Sequence, residues 1–370
     1  MFFSLGWTKH KQFSHYYDLP NGMILSTDSG WKIFKDKDQT IIAKGYANTS
    51  SLDQVIQSSS KGNYCAWIVN DNDARLEHDS FRSFPLYVHD DDSITNLMPS
   101  EKQVWADKKV TINKKNKILQ VDINTPIFDG RILDDKTVVN KIDQTLCETF
   151  EKFLTQNTKP LKLFLTDGID TTTLWCYLDL FTKNYEIVDY EYVKYTDFWR
   201  KSKQIAKANF WGYRFIHMWE DPTVLITGAL GDEFFLRGPA TMFILPTKYG
   251  IDIKNTILPV DYMYTYVMHT IDDYMPNTLN VLSRIEKVAD IKQYMYNTLS
   301  NDHQHWHLDN TLTFTPFKDL TILETIMSAD PLLLAQQAKH AEINRQLICL
   351  HDPDKLNTIS PQKNNGMKNI

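Results

Sequence analysis

Hydrophobic positions change their spacing twice along this chain. Up to about residue 125, short alternating apolar runs are broken by turn signals such as Pro20-Asn21-Gly22, Asp71-Asn72-Asp73 and Asp90-Asp91-Asp92. Period-two alternation between turns predicts a β-rich region. From Ile132 to Leu154 the spacing becomes helical, with Val138, Ile142, Leu146 and Phe150 on one face. The pattern then predicts a strand over 161–165, a helix from Thr171 to about Lys183 and a strand over 187–193. A helix near 197–210 and strands over 213–219 and 223–227 follow. Strands alternating with helices argue for a parallel sheet. Beyond about Val260 the pattern is helical and predicts an α-rich lobe. Two domains are expected, 1–125 and 126–370, of α/β class overall with an α+β N-terminal part. One connection is too short for a parallel crossover, which needs roughly a dozen residues. Only Glu220, Asp221 and Pro222 separate strands 213–219 and 223–227, so either that pair is antiparallel or one assignment fails.

Two segments carry candidate chemistry. In Leu163 to Thr173, LFLTDGIDTTT, an apolar strand ending at Leu165 runs into the turn Thr166-Asp167-Gly168 and then a helix. Such a strand–turn–helix aims backbone N–H groups and a positive helix end at one spot, which suits a phosphate or pyrophosphate. Asp170 stands where it could hold a Mg²⁺ ion bridging phosphate oxygens. An ordinary βα turn capped by Asp and Thr has the same sequence character. Thr223 to Phe235, TVLITGALGDEFF, repeats the logic, with Asp232 and Glu233 opening a short helix. Two acidic turns at the C-terminal ends of strands suit a nucleotide crevice in an open α/β sheet. Asp232 and Glu233 could equally cap a helix.

In order and character these segments resemble the two signatures of the asparagine synthetase family. Its pyrophosphate loop, Ser-Gly-Gly-Leu-Asp-Ser, is similar to Thr166-Asp167-Gly168-Ile169-Asp170-Thr171. Its Gly-Glu-Gly-x-Asp-Glu-Leu-Phe is similar to Gly228-Ala229-Leu230-Gly231-Asp232-Glu233-Phe234-Phe235. Pro316-Phe317-Lys318-Asp319 resembles the family's Pro-Phe-Leu-Asp, and Pro361-Gln362-Lys363-Asn364-Asn365-Gly366 its terminal Arg-x-Lys segment. Gly62 to Ala66, Ser83 to Tyr87 and Ser100-Glu101 look like N-terminal family motifs. The likeness is colinear over most of the chain. It implies a glutaminase-like (Ntn) β-rich N-terminal domain, followed by an adenine-nucleotide-α-hydrolase-like parallel sheet with a helical C-terminal lobe.

The resemblance also implies chemistry. The family adenylates a carboxylate with ATP, releases pyrophosphate and passes the acyl group to an amine. Thr166, Gly168, Thr171 and Thr172 would cradle pyrophosphate, and Asp170 and Asp232 would hold Mg²⁺. Lys363 would be the catalytic cation, with Leu165 and Gly228 near adenine and ribose. Lys363 also reads as a solvated lysine in a polar tail. The family's glutaminase nucleophile is Cys at position 2, where this chain has Phe2. A phenyl ring forms no thioester, so the amine must come from elsewhere, as in the related β-lactam synthetases and lasso-peptide cyclases. Asp167 replaces a family glycine and places a carboxylate beside the intended pyrophosphate. Ala229 replaces a family Glu that acts on the acyl acceptor. Leu312 and Phe314 stand where the family has Glu-x-Arg.

Composition narrows the classes. The chain has 370 residues, 42% hydrophobic and 23% charged, and a net charge of −6. That balance gives no pull toward nucleic acid or an anionic membrane, and no apolar run reaches the ~20 residues of a membrane span. The five lysines between Lys108 and Lys117 read as a solvated hairpin. The four cysteines form no CxxC pair, which fits a reducing, cytoplasmic setting. Cys65 and Cys176 lie in apolar segments and are expected to be buried. His303, His305 and His307 alternate along the chain and would share one face of a strand, as a metal or anion site or as plain loop residues.

Three readings stay open. The first is a glutamine-independent, ATP-dependent, amide-forming ligase acting on a small carboxylate and an amine, a homodimer being compatible. The second is a catalytically inactive nucleotide- or partner-binding protein on the same fold. The third is an ATP-pyrophosphatase acting in nucleobase modification, for which no basic, aromatic-rich strip speaks.

Overall fold

The computed structural model describes residues 3–11, 13–27, 30–36, 38–47, 62–78, 86–95, 103–104, 108–113, 118–122, 132–188, 223–228, 231–235, 237 and 311–359. The fold is mixed α/β. The chain divides into two compact units, 1–125 with 193–223 and 296–312, and 126–192 with 224–295 and 313–370, so the units are not the two continuous stretches expected.

Among its described residues, the first unit has twelve strands in two six-stranded sheets. One sheet contains β1 (Phe3–Gly6), β2 (His15–Asp18), β3 (Ile24–Thr27), β8 (Leu86–Val88), β9 (Ile94–Thr95) and β10 (Gln103–Val104), in the order β10-β8-β9-β1-β3-β2. The other contains β4 (Lys32–Asp36), β5 (Gln39–Ala47), β6 (Gly62–Val69), β7 (Asp73–His78), β11 (Lys108–Asn113) and β12 (Ile118–Asp122), in the order β12-β11-β7-β6-β5-β4. Every pairing is antiparallel. One cluster draws Phe3 and Leu25 from the first sheet and Trp67, Leu76 and Val110 from the second, so the sheets share a core. Phe3 meets Trp67 edge-on at 5.5 Å, a favoured aromatic geometry. Alternation sends Cys65, Trp67 and Val69 into this core, while Ala66 and Ile68 join Ile41 and Ala43 on the opposite face. The turn signals act as read: Gly22 closes its turn at φ +85° and Asp92 at φ +60°, both left-handed. Lys108 and Lys109 lie on β11, which pairs with β12 as a hairpin.

The second unit begins with α1 (Asp135–Gln156). Asp134 caps it, its carboxylate accepting from Thr137 N at 2.9 Å. Val138, Ile142, Leu146 and Phe150 are all buried, as their spacing predicts. Then come β13 (Leu161–Phe164), α2 (Ile169–Phe181), β14 (Glu186–Val188), β15 (Thr223–Ile226), the single turn α3 (Gly231–Phe234) and β16 (Thr311–Phe314). Three helices follow, α4 (Leu320–Met327), α5 (Pro331–His340) and α6 (Glu342–His351), then a 3₁₀ turn (Pro353–Thr358). The sheet order is β14-β13-β15-β16, and β13 runs parallel to both β14 and β15. Phe314 on β16 stacks on Phe153 at 3.8 Å and meets Phe150 edge-on at 5.3 Å, fixing α1 against the sheet.

Two expectations are corrected. Helix α2 starts at Ile169, not Thr171, because Gly168 takes the extended N-cap conformation (φ −92°, ψ 152°). Asp170 therefore belongs to the first helical turn, where the helix dipole favours a carboxylate. Residues 311–314, read as part of a helical region, form β16. Their Thr-Leu-Thr-Phe alternation suits a strand, and Pro316 disfavours helix at the residue before it. The expected elements over 189–222, the short connection before 223 and the pattern over 251–310 lie outside the described residues.

Candidate functional site

The turn after β13 is stitched by hydroxyl groups. Leu165 extends the strand pairing, its N–H donating to Val188 O at 2.9 Å. Thr166 N donates to Thr171 Oγ1 at 3.2 Å, and Gly168 N donates to Thr166 Oγ1 at 3.2 Å. Thr171 Oγ1 in turn donates to Thr166 O at 2.9 Å. Thr172 Oγ1 donates to Gly168 O at 2.9 Å and Thr173 Oγ1 to Ile169 O at 2.8 Å. Bonding back to the preceding turn explains how three consecutive threonines sit buried at a helix start. Gly168 offers no side-chain cap to the start of α2. Asp167 is exposed.

The turn after β15 packs directly on this one. A Cβ built on Gly228 would lie 2.9 Å from Thr171 N and 3.0 Å from Asp170 Cβ. A Cβ on Gly231 would lie 2.3 Å from Asp170 Cγ and 2.4 Å from its Oδ1. Both positions therefore require glycine for close approach rather than for φ. Gly231 N donates to Gly228 O at 3.1 Å, closing the loop. Two turns 60 residues apart in sequence thus meet at the C-terminal ends of adjacent parallel strands. The turn after β16 joins them from the side: Phe317 packs edge-on against Phe235 at 5.0 Å, and Asp319 caps α4 by accepting from Thr321 N at 2.7 Å.

Asp170 is the electrostatic centre. Its Oδ2 is ion-paired with Arg237 Nη2. Its Oδ1 accepts from Asn344 Nδ2 at 3.5 Å. Asn344 also donates to Thr173 Oγ1 at 3.4 Å and accepts from Gln337 Nε2 at 2.8 Å. Gln337 Oε1 accepts from Ile343 N at 2.7 Å. That bond spans the α5–α6 junction, where Ala341 is left-handed (φ +54°), a conformation that costs a non-glycine residue about 1–2 kcal/mol. Gln337 and Asn344 are fully buried. They form a polar thread from the C-terminal helices to the Asp170 carboxylate.

Leu165, Thr166, Gly168, Asp170, Thr171, Thr172 and Gly228 are therefore gathered in one place. Asp232 lies on α3 next to Gly231, but its side chain is outside the description. Lys363, Ala229, His303, His305 and His307 lie outside the described residues. Sequence reasoning missed Arg237, Gln337 and Asn344. Asn344 left a weak signal, a polar residue among Ile343, Leu347 and Ile348 on an apolar helix face. Arg237 left none.

No known protein family matches the chain by sequence, and no curated protein does. Among solved structures, it is similar to a glutamine phosphoribosylpyrophosphate amidotransferase from B. subtilis complexed with ADP and GMP. The identity is 9% over 60% of this chain and 63% of that one, with a TM-score of 0.21. A second, described as the allosteric regulatory enzyme of purine biosynthesis, matches at 10% identity over 53% of this chain and 56% of that one, with a TM-score of 0.20. The chain spans less than two thirds of either neighbour. Likeness at this level carries no argument about this chain. Among the described residues, no helix is long and apolar enough to cross a membrane.

Proposed function

We propose that the chain is a glutamine-independent, ATP-dependent ligase of the asparagine synthetase-like kind. It would adenylate a small carboxylate, release pyrophosphate and pass the acyl group to an amine or ammonia. The observation that carries this reading is the meeting of the Thr166–Asp170 and Gly228–Gly231 turns at the C-terminal ends of parallel strands β13 and β15. Ligands bind at that edge of open α/β sheets, and the uncapped start of α2 supplies the positive end.

Asp170 would hold Mg²⁺ together with Asp232, and Thr166, Gly168, Thr171 and Thr172 would form the pyrophosphate turn. The Thr166, Gly168 and Thr172 N–H groups now donate within that turn and would have to re-pair to reach a phosphate. Mg²⁺ would supply charge neutralisation on the phosphate oxygens. The Arg237 guanidinium now paired with Asp170 would turn to a phosphate, which its planar fork suits. Lys363 would remain the cation for the developing charge. The degenerate N-terminal unit would serve as a glutaminase-like scaffold without its nucleophile.

The Asp170–Arg237 pair favours a second reading, a catalytically inactive nucleotide- or partner-binding protein in which the guanidinium permanently takes the cation's place. Calorimetric titration of a non-hydrolysable ATP analogue into the wild type and Asp170→Ala, with and without Mg²⁺, tests the nucleotide site. Mg²⁺-dependent binding lost in the variant supports it, and a folded wild type that binds nothing overturns it. Pyrophosphate release across a panel of carboxylates then separates ligase from inactive binder. A steep salt dependence of tRNA binding would instead favour nucleobase modification.

A further inference from the structure

A second cluster of reactive side chains lies deeper along the same helices. Asp143 and Cys147 are one turn apart on α1, so they share a helix face. His351, the last residue of α6, reaches the same point, its Nε2 lying 2.6 Å from Asp143 Oδ1. One ligand atom from each of the three residues falls within 4.8 Å of the others, and all three are half-buried. Tyr177 on α2 is fully buried, and its hydroxyl donates to the same Asp143 Oδ1 at 2.7 Å. Its ring meets the His351 ring edge-on at 4.9 Å. Tyr177 therefore fixes the carboxylate and the imidazole together. Seven residues separate it from Asp170, about 10 Å along the helix, so this cluster is distinct from the nucleotide crevice.

We propose that Asp143, Cys147 and His351 form a Zn²⁺ site, with Tyr177 as the residue that positions it. Carboxylate, thiolate and imidazole are a ligand set that Zn²⁺ accepts, with a water in the fourth position. Bond lengths of about 2.0–2.3 Å in a tetrahedron place donor atoms about 3.2–3.8 Å apart. The Asp143–His351 contact would open by less than 1 Å on that estimate, and the thiol, within 4.8 Å of both, would close by at most about 1.3 Å. Metal replaces the hydrogen bond between Nε2 and Oδ1. The imidazole gives its Nε2 lone pair, and the proton that Nε2 donates to Asp143 moves through solvent to Nδ1, so the ring stays neutral. The Cys147 thiol loses its proton to solvent as the metal–sulfur bond forms, so the ion and its two anionic ligands are neutral together. Burial, then Asp143, Glu151 and Glu148, push the free thiol up to about 11. The same three carboxylates attract a divalent cation, which lowers that barrier on arrival. Burial first, and Asp143 next, keep the Tyr177 hydroxyl protonated and donating.

The bland alternative is a hydrogen-bonded tie between α1 and α6 that takes no metal. Titrating Co²⁺ into the full-length, reduced protein distinguishes the two. The proposal expects intense visible bands of tetrahedral Co²⁺ and a near-ultraviolet thiolate charge-transfer band, both displaced by Zn²⁺. Zn²⁺ binding to the wild type should release protons into weakly buffered solvent. Cys147→Ser should lose the charge-transfer band with helicity intact, and Cys349→Ser should keep it. Tyr177→Phe should weaken binding about 10–100-fold. Absence of both the bands and the proton release in the wild type overturns the proposal. So does a charge-transfer band that survives Cys147→Ser or depends on Cys349. Asp170→Ala should leave every one of these readings unchanged, so failure here and failure of the nucleotide site are separable.

Discussion

Replacing Gly231 by alanine sets two physical effects against each other. Ala is a better helix former than Gly by about 0.5–1 kcal/mol, and Gly231 has no left-handed φ that would forbid a side chain. Propensity alone therefore expects stabilisation. Packing expects the reverse. The new Cβ would sit 2.3 Å from Asp170 Cγ, whereas ordinary contact begins at 3.4 Å. Asp170 must retreat by about 1.1 Å on those two distances, yet Arg237 and Asn344 hold both of its oxygens. Overpacking of this kind costs about 1–3 kcal/mol, and a loosened charge-assisted pair adds to it. After the propensity gain, a net loss on the order of 1–2 kcal/mol remains, a fall of roughly 2–8 °C in midpoint for a unit of this size. Scanning calorimetry of the full chain, resolving the unit that contains α2, reads this directly, and Mg²⁺–nucleotide binding should weaken in parallel. A midpoint equal to or above wild type would refute the close approach of the two turns.

Lys355 is buried and paired with Asp179 at 2.5 Å, with its ammonium over the Trp175 ring at 4.4 Å. Lys355→Ala should therefore cost roughly 3 kcal/mol in urea unfolding, and a loss under 0.5 kcal/mol would refute the pairing. Burial raises the Asp179 carboxyl, but hydrogen bonds from Lys183, Lys355 and Tyr185 outweigh it and leave it below its ordinary 3.8. A depressed folded value means that this stability is complete above pH ~4 and fades as pH falls below it. Acid unfolding of Asp179→Asn should be flatter there, and an unchanged acid limb would count against the assignment. Among the thiols, exposed Cys349 should react first with a disulfide reagent at pH 8. Cys147 should be slow, and Cys176, buried and pushed up to about 12, should be inert until unfolding. Early labelling of Cys176 would contradict its burial.

The parts legible in the chain are those written in local spacing. The stripe Val138, Ile142, Leu146 and Phe150 specifies α1 because a helix repeats every 3.6 residues. The unbroken apolar run Tyr64 to Val69 suits a strand buried on both faces, as β6 is. The strand–turn–helix at Leu161 to Thr173 is local as well, so its polar turn could be placed before any contact was known. What slipped was the helix start and β16. Helix ends depend on a cap that here is a glycine with no side-chain signal, and a four-residue strand carries too few positions to show a period.

Sequence alone determined most of the helices and strands among the described residues, and which turns carry carboxylates, because those choices are made within a few residues. Only the tertiary structure decided what the carboxylates face. It set Gly228 and Gly231 against Asp170, Arg237 on one carboxylate oxygen and the Gln337–Asn344 thread on the other. It also brought His351 to Asp143 across 208 residues. Such partners are chosen by which strands lie side by side and which helix faces bury each other, and a long-range pairing leaves no periodic trace in the chain that makes it.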